Sequence, residues 1–246
     1  MAIVEGITEF LPISSTGHLI LTAKLLAIAQ TDFVKSFEIV IQLGAIAAVL
    51  VMYAGKVLAK MDLMKPVLIA FVPTGVLGLV FYKIVKTYLL GNSGVVVWTL
   101  LLGGIFMIWY ERRMRNKEGK LRIEDLDFKK SLQIGLVQAI SMIPGVSRAM
   151  ATIFGGMGAG LSRAEATQFS FLLAIPTMAA ATGFDLVKSG WAFTPSEWWL
   201  LTIGFIGAFV SAFTVVKWLV GYVQKHDFTA FGVYRIVLAL IFLFLI

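Results

Sequence analysis

Two carboxylates four residues apart, Glu5 and Glu9, stand in the apolar segment Glu5-Gly-Ile-Thr-Glu9-Phe-Leu-Pro12-Ile-Ser14-Ser15-Thr16-Gly-His18. That spacing puts both on one face of a short helix. A carboxylate in such surroundings is costly unless it is paired or wet. The pair therefore either caps and pairs within a helix bundle, or faces a wet cavity. In a cavity it would serve as a general acid/base or hold a hard cation such as Mg2+ or Ca2+, which bridges phosphate oxygens. Among Ser14, Ser15 and Thr16, one is expected to cap the returning helix. The first amides of that helix would also receive an anion. His18, beside hydroxyls and two carboxylates, reads as functional rather than as a packing histidine.

A second segment reads Ser141-Met-Ile-Pro144-Gly-Val-Ser147-Arg148-Ala-Met-Ala-Thr152. An arginine deep between apolar limbs needs an anionic partner, either Glu5 or Glu9 in a structural pair or a phosphate captured by its fork. Gly145 would let the backbone approach a ligand, and Ser147 and Thr152 add hydroxyls for phosphate oxygens. One segment offers carboxylates and His, the other Arg and Ser, a division that suits phosphoryl chemistry better than simple passage.

The elements that must position these residues are membrane helices. Of 246 residues 59% are hydrophobic and 14% charged, and mean hydropathy is +0.90, too little charge for a soluble surface. With no Cys, disulfides and thiolate chemistry are excluded, and two His make a multi-His metal centre unexpected. No cleavable signal peptide is visible. Apolar runs near 37–54, 66–82, 95–110, 169–187, 198–216 and 231–246 predict six transmembrane helices. The regions 1–29 and 132–161, broken at Pro12 and Pro144, have limbs too short to span and predict two re-entrant helical hairpins.

Orientation follows the basic residues. Segment 111–130 carries eight Lys and Arg (Lys117 among them), and placing it in the cytoplasm also puts Lys56, Lys60, Lys65, Arg163, Lys217, Lys225 and Arg235 there. Lys35, Lys83, Lys86 and Lys188 fall outside. The net charge of +7 is thus explained without nucleic acid, with anionic lipid as its counter-surface. The five acids of 111–130 predict a solvated mixed-charge loop rather than a domain. An offset of 132 lays the first three spans on the last three, Pro12 on Pro144 and Ser15 on Ser147. The expectation is one all-α integral membrane domain over 1–246: repeat 1 about 1–110, loop 111–130, repeat 2 about 131–246, in an inverted-topology repeat. Interrupted segments at matching positions of such halves point to a midplane site. The glycines of 155–160 predict close helix packing, and Trp191, Trp198 and Trp199 an outer interfacial belt. His226 has no assigned role.

Together the two motifs, with Gln168-Phe-Ser-Phe-Leu-Leu-Ala-Ile-Pro176, resemble the signatures of the bacterial undecaprenyl-diphosphatase family, the bacitracin-resistance type, over the whole chain. The resemblance implies hydrolysis of undecaprenyl diphosphate to the monophosphate carrier reused in cell-wall synthesis. It further implies a multi-pass protein of the bacterial plasma membrane with an extracytoplasmic site. By motif position Glu5 and Glu9 match the acidic pair, with Glu9 essential for metal or water, and Ser15 and His18 match the nucleophile or base. Arg148 matches the phosphate-binding arginine, with Ser147 its neighbour. Two departures stand out: Ala149 and Met150 follow Arg148 where the family continues Ser-Gly, and the chain begins some residues later than typical members. The rival reading is a secondary transporter or polyprenyl-phosphate flippase, since broken helices in inverted repeats are common in transporters. A scaffold would not explain the buried charges. The expected partners are a polyprenyl diphosphate and membrane lipids, with a homodimer left open.

Overall fold

Ten α-helices carry the chain in a computed structural model that describes residues 1–246 except 30, 90, 91, 116–118, 190–192 and 246. In order they are α1 (Ala2–Thr8), α2 (Ser15–Leu25), α3 (Asp32–Ala59), α4 (Met64–Ile84) and α5 (Ser93–Met114). Then follow α6 (Phe128–Ala139), α7 (Arg148–Gly158), α8 (Arg163–Ser189), α9 (Pro195–Tyr222) and α10 (Thr229–Leu245). Among the described residues there is no β-strand, only an isolated bridge between Leu121 and Leu161. The expected Trp191 and Lys117 lie outside the described residues.

Local chemistry sets the starts of the helices. Thr31, Asn92 and Asp127 each accept a hydrogen bond from the amide three residues on, and Thr194 forms a reciprocal capping box with Glu197. Among the described residues, four helical stretches are long and apolar enough to cross a membrane: Asp32–Ala59, Met61–Ile84, Ser93–Met114 and Pro195–Tyr222. They turn Leu68, Val72, Val76, Leu79, Ile203, Ile206 and Val210 outward, as helices in lipid must. This is an integral membrane protein. Trp198 and Trp199, 45% and 66% exposed, sit in the first turn of α9, where an interfacial belt was expected.

The expected run 169–187 falls on α8, whose residues from Phe169 to Ala174 are completely buried. Protein rather than lipid surrounds that stretch, so it tolerates Ser170. The last run falls on α10, a shorter apolar helix.

Two short helices followed by three long ones occur twice. The halves interlock: α1 packs on α9, α6 packs on α4, and α5 packs on α10. The first two of these contacts each depend on a glycine. A Cβ on Gly6 would strike the Ala208 carbonyl and Ser211, and one on Gly135 would strike the Ala70 carbonyl. Gly135→Ala is expected to cost about 1–3 kcal/mol by overpacking, read as a lower unfolding temperature in detergent.

The breaks differ from expectation by one residue. Ser14 and Ser147, both at positive φ (73° and 74°), are the N-caps of α2 and α7. The structural match is therefore Ser14 with Ser147, not Ser15 with Ser147, and Ser15 and Arg148 each open a helix. Residue identity in so biased a composition could not resolve a single-residue offset.

Two further corrections concern charge. Arg235 was counted among the basic residues of the cytoplasmic side, but it lies inside α10 and is fully buried. Segment 111–130 is also less solvated than its composition suggests. Glu111 is buried and receives Arg163 through two bonds of 2.7 and 3.2 Å, together with the Phe228 amide. Ile123 is buried as well, and its amide donates to Glu165. The segment is thus fastened to the α7–α8 turn, where the Leu121 amide donates to the Gly160 carbonyl.

Candidate active site

The turn after α1 delivers Glu9 to the place where α2 and α7 begin. Arg148 Nη2 donates to Glu9 Oε1 at 2.9 Å, and Ser15 Oγ donates to Glu9 Oε2 at 2.5 Å. The leading residues of two helices from opposite halves thus hold the two oxygens of one carboxylate. Both helix N-termini present unpaired first amides and the positive end of a dipole, so the point where they meet favours an anion.

Arg148 is shaped by its neighbours. Its Nη1 donates to the Ser170 carbonyl and hydroxyl at 3.1 and 3.2 Å, and its guanidinium lies 5.4 Å from the Phe10 ring centroid. Thr152 supports this from behind, 2.6 Å from Ser170 Oγ. Arg148 Nε is buried without an acceptor among the described residues. The expected structural pair between Arg148 and Glu9 is therefore present, yet the arginine keeps a donor in reserve.

Glu5 is completely buried, and neither of its carboxylate oxygens has a hydrogen-bond donor among the described residues. His18 faces the other way. Its Nδ1 donates to the Ser14 carbonyl at 2.7 Å, which leaves Nε2 of the neutral ring to accept from Tyr234 Oη at 2.7 Å. The two rings stack at 5.5 Å. His18 thus joins the site through the Ser14 cap and not by a bond to Glu9, Ser15 or Arg148.

The remaining expected residues divide by surroundings. Ser14 and Ser147 spend their oxygens on the amides of Gly17 and Met150. Thr16 is exposed at the head of α2. Thr152 buttresses Arg148 instead of facing an anion. The room left by the missing Cβ of Gly145 is taken by Thr99 and the Val96 carbonyl of α5, not by a ligand approach.

With this geometry in view, comparison with known proteins is informative. The family model described as bacitracin resistance protein BacA matches residues 1–241. The chain belongs to the BacA family. It is similar to three proteins named undecaprenyl-diphosphatase. That of Aquifex aeolicus is 50% identical over 242 residues, covering 98% of this chain and 94% of the relative. Those of a Sulfurihydrogenibium species and Persephonella marina are 48% and 47% identical, covering 98% and 99% of this chain and 95% of each relative.

Sequence reasoning about this BacA-family chain missed Ser170, Tyr234 and the inward placement of Arg235. Ser170 lay within the stretch that carried the resemblance, and Arg235 lay within an apolar run, where an ionisable residue is itself a functional signal. Tyr234 offered none. A divalent cation suits the residues present, because Glu5 brings two unmatched buried oxygens beside Glu9. No group of three or more His, Cys, Asp or Glu among the described residues could hold an ion by itself.

Proposed function

We propose that this BacA-family chain removes the terminal phosphate of undecaprenyl diphosphate, leaving undecaprenyl phosphate and inorganic phosphate. The observation that carries the reading is the Glu9 carboxylate held between Ser15 and Arg148 at the convergence of two helix N-termini. That is a nucleophile on its base, beside an arginine with a spare donor.

In this reading Arg148 and the first amides of α2 and α7 bind the terminal phosphoryl group. Ser15 Oγ attacks its phosphorus and gives its proton to Glu9, while the bond to the bridging oxygen breaks and undecaprenyl phosphate leaves. Glu9 passes that proton to the departing undecaprenyl phosphate. Water then attacks the phosphoserine and gives a proton to Glu9, which returns it to Ser15 Oγ as the Ser15–phosphorus bond breaks and inorganic phosphate leaves. Direct attack by a water resting on Glu9 is the second route, and a trapped phosphoserine separates the two. A divalent cation, when bound, would be held by Glu5 and Glu9 and would neutralise charge on the diphosphate. His18 orients the first turn of α2 through Ser14. Electrostatic stabilisation by prearranged donors dominates the rate, as in phosphoryl transfer generally.

The architecture that accompanies this chemistry is a single membrane domain with six spans (α3, α4, α5, α8, α9, α10). Its re-entrant hairpins α1–α2 and α6–α7 belong to inverted repeats. The two-short, three-long order of each half and the crossed packing of α1 on α9 and α6 on α4 support it. The concentration of Lys and Arg in 111–130 supports a cytoplasmic loop in the bacterial plasma membrane, with the site open to the other side. An apolar groove of about 660 Å³ walled by Phe106, Leu136, Val137, Val146 and Met150 is suited in its lining to a prenyl chain.

The test is phosphate release from a C15 or C55 prenyl diphosphate by detergent-purified protein, with Mg2+, Ca2+ or EDTA. Metal-dependent release is expected. No release from folded protein would return the account to transport, with lipid flipping in liposomes as the next assay.

A further inference from the structure

Arg235 is fully buried in α10, and no carboxylate among the described residues lies within ion-pair distance of it. A charge so placed costs several kcal/mol unless fully satisfied. Satisfaction here is complete: a guanidinium has five N–H donors, and five carbonyls receive them. Nε donates to Leu100 O at 3.4 Å, and Nη2 donates to Thr99 O at 2.8 Å. The other three donors reach the hairpin turns. Nη1 donates to Pro12 O at 3.2 Å and Val146 O at 3.1 Å, and Nη2 donates to Gly145 O at 2.9 Å.

These acceptors lie just before the caps Ser14 and Ser147, from which Ser15 and Arg148 lead into the site. Both caps sit at positive φ, 73° and 74°, a conformation that persists in a non-glycine residue only where the surroundings impose it. One planar fork touches both turns at once, together with α5. Arg148, by contrast, retains an unmatched Nε. The two buried arginines therefore divide the labour, one with a donor to offer a ligand and the other with none left.

We propose that Arg235 is the positioning residue of this site: its fork ties the Pro12 turn to the Gly145–Val146 turn and so sets the spacing of Ser15 and Arg148 about Glu9. The inference rests on the diphosphatase reading but assigns Arg235 no contact with substrate. Lysine keeps the charge but offers three donors from a single point, so it cannot span both turns. A misplacement of about 1 Å costs on the order of 100-fold in rate, whereas phosphate binding by Arg148 survives a small shift.

A second lever leaves Arg235 in place. A Cβ on Gly103 would strike its Nη2 and lie 2.8 Å from its Cζ, so Gly103→Ala pushes the fork off the turns without changing any charge. The experiment measures prenyl diphosphate hydrolysis per folded molecule for wild type, Arg235→Lys and Gly103→Ala, with detergent thermal stability in parallel. The expected result is a kcat about 100-fold lower for Arg235→Lys and about tenfold lower for Gly103→Ala, with KM in both within about threefold of wild type. If Arg235→Lys does not fold, Gly103→Ala decides alone. Wild-type kcat per folded molecule in Gly103→Ala, or in both variants, would overturn the inference, even if stability falls, because a merely structural arginine changes yield and not turnover. A wild type that releases no phosphate would instead overturn the diphosphatase reading and this inference with it.

Discussion

Arg148→Ala is expected to lower kcat/KM for a prenyl diphosphate by at least about 10³-fold, the scale associated with an arginine that stabilises a transferring phosphoryl group. The structure explains why nothing else substitutes. Arg148 Nη2 sits 2.9 Å from Glu9, Nη1 bonds Ser170, and the buried Nε is unmatched. Lysine reproduces the charge but not the fork, so Arg148→Lys is expected to recover only a small part of the loss. Removing the arginine also strands Glu9, which is 8% exposed, and breaking a buried pair in this way destabilises by about 3–5 kcal/mol. Rates must therefore be normalised to folded protein, for example by size-exclusion recovery in detergent. Wild-type-like turnover in Arg148→Ala would refute its assignment.

Glu9→Gln is the more diagnostic substitution, because it should move turnover and binding in opposite directions. The carboxylate now occupies one arm of Arg148 and receives the Ser15 hydroxyl. A neutral amide of the same size cannot accept the proton that Ser15 or water must lose, so kcat should fall by about 10²–10⁴-fold, the usual contribution of a general base. The amide also releases Arg148 from its ion pair. Inorganic phosphate should then bind the variant more tightly, read as a lower inhibition constant in direct titration. Weaker phosphate binding in Glu9→Gln would mean that Glu9 assists ligand binding, for instance through a metal, and does not compete for the guanidinium.

Much of this site was legible in sequence because its parts are local. Glu5, Glu9 and the hydroxyls after Pro12 lie within one helical turn and a break, and Arg148 follows Pro144 at a matching break. Each is a polar group where an apolar segment should have none, which is a strong physical signal. The contacts that complete the site are not local. Tyr234 meets His18 across 216 residues and Arg235 reaches Pro12 across 223, and no spacing rule connects such positions. Arg235 was misplaced because charge counting assumes that basic residues at the ends of apolar runs face water. In this fold α10 begins at Thr229, six residues before Arg235, which leaves the arginine inside the helix. The one-residue slip at the caps has a similar origin, since the first turn runs from Glu9 to Ser14 while the second contains a tight helical turn at Ile140–Met142. Helix order survived these errors because it depends on segment length and apolarity, which many residues determine together.

The central claim is that Glu9 and Arg148 act as one unit on one phosphoryl group, and a double-mutant cycle tests it most directly. Phosphate release per folded molecule would be measured for wild type, Glu9→Gln, Arg148→Lys and the double variant on the same prenyl diphosphate. Residues that act as a unit give strongly non-additive losses, so the account predicts a double variant no slower than the worse single variant by more than a few-fold. Losses that multiply across the two positions would place Glu9 and Arg148 in separate steps and contradict the site described above.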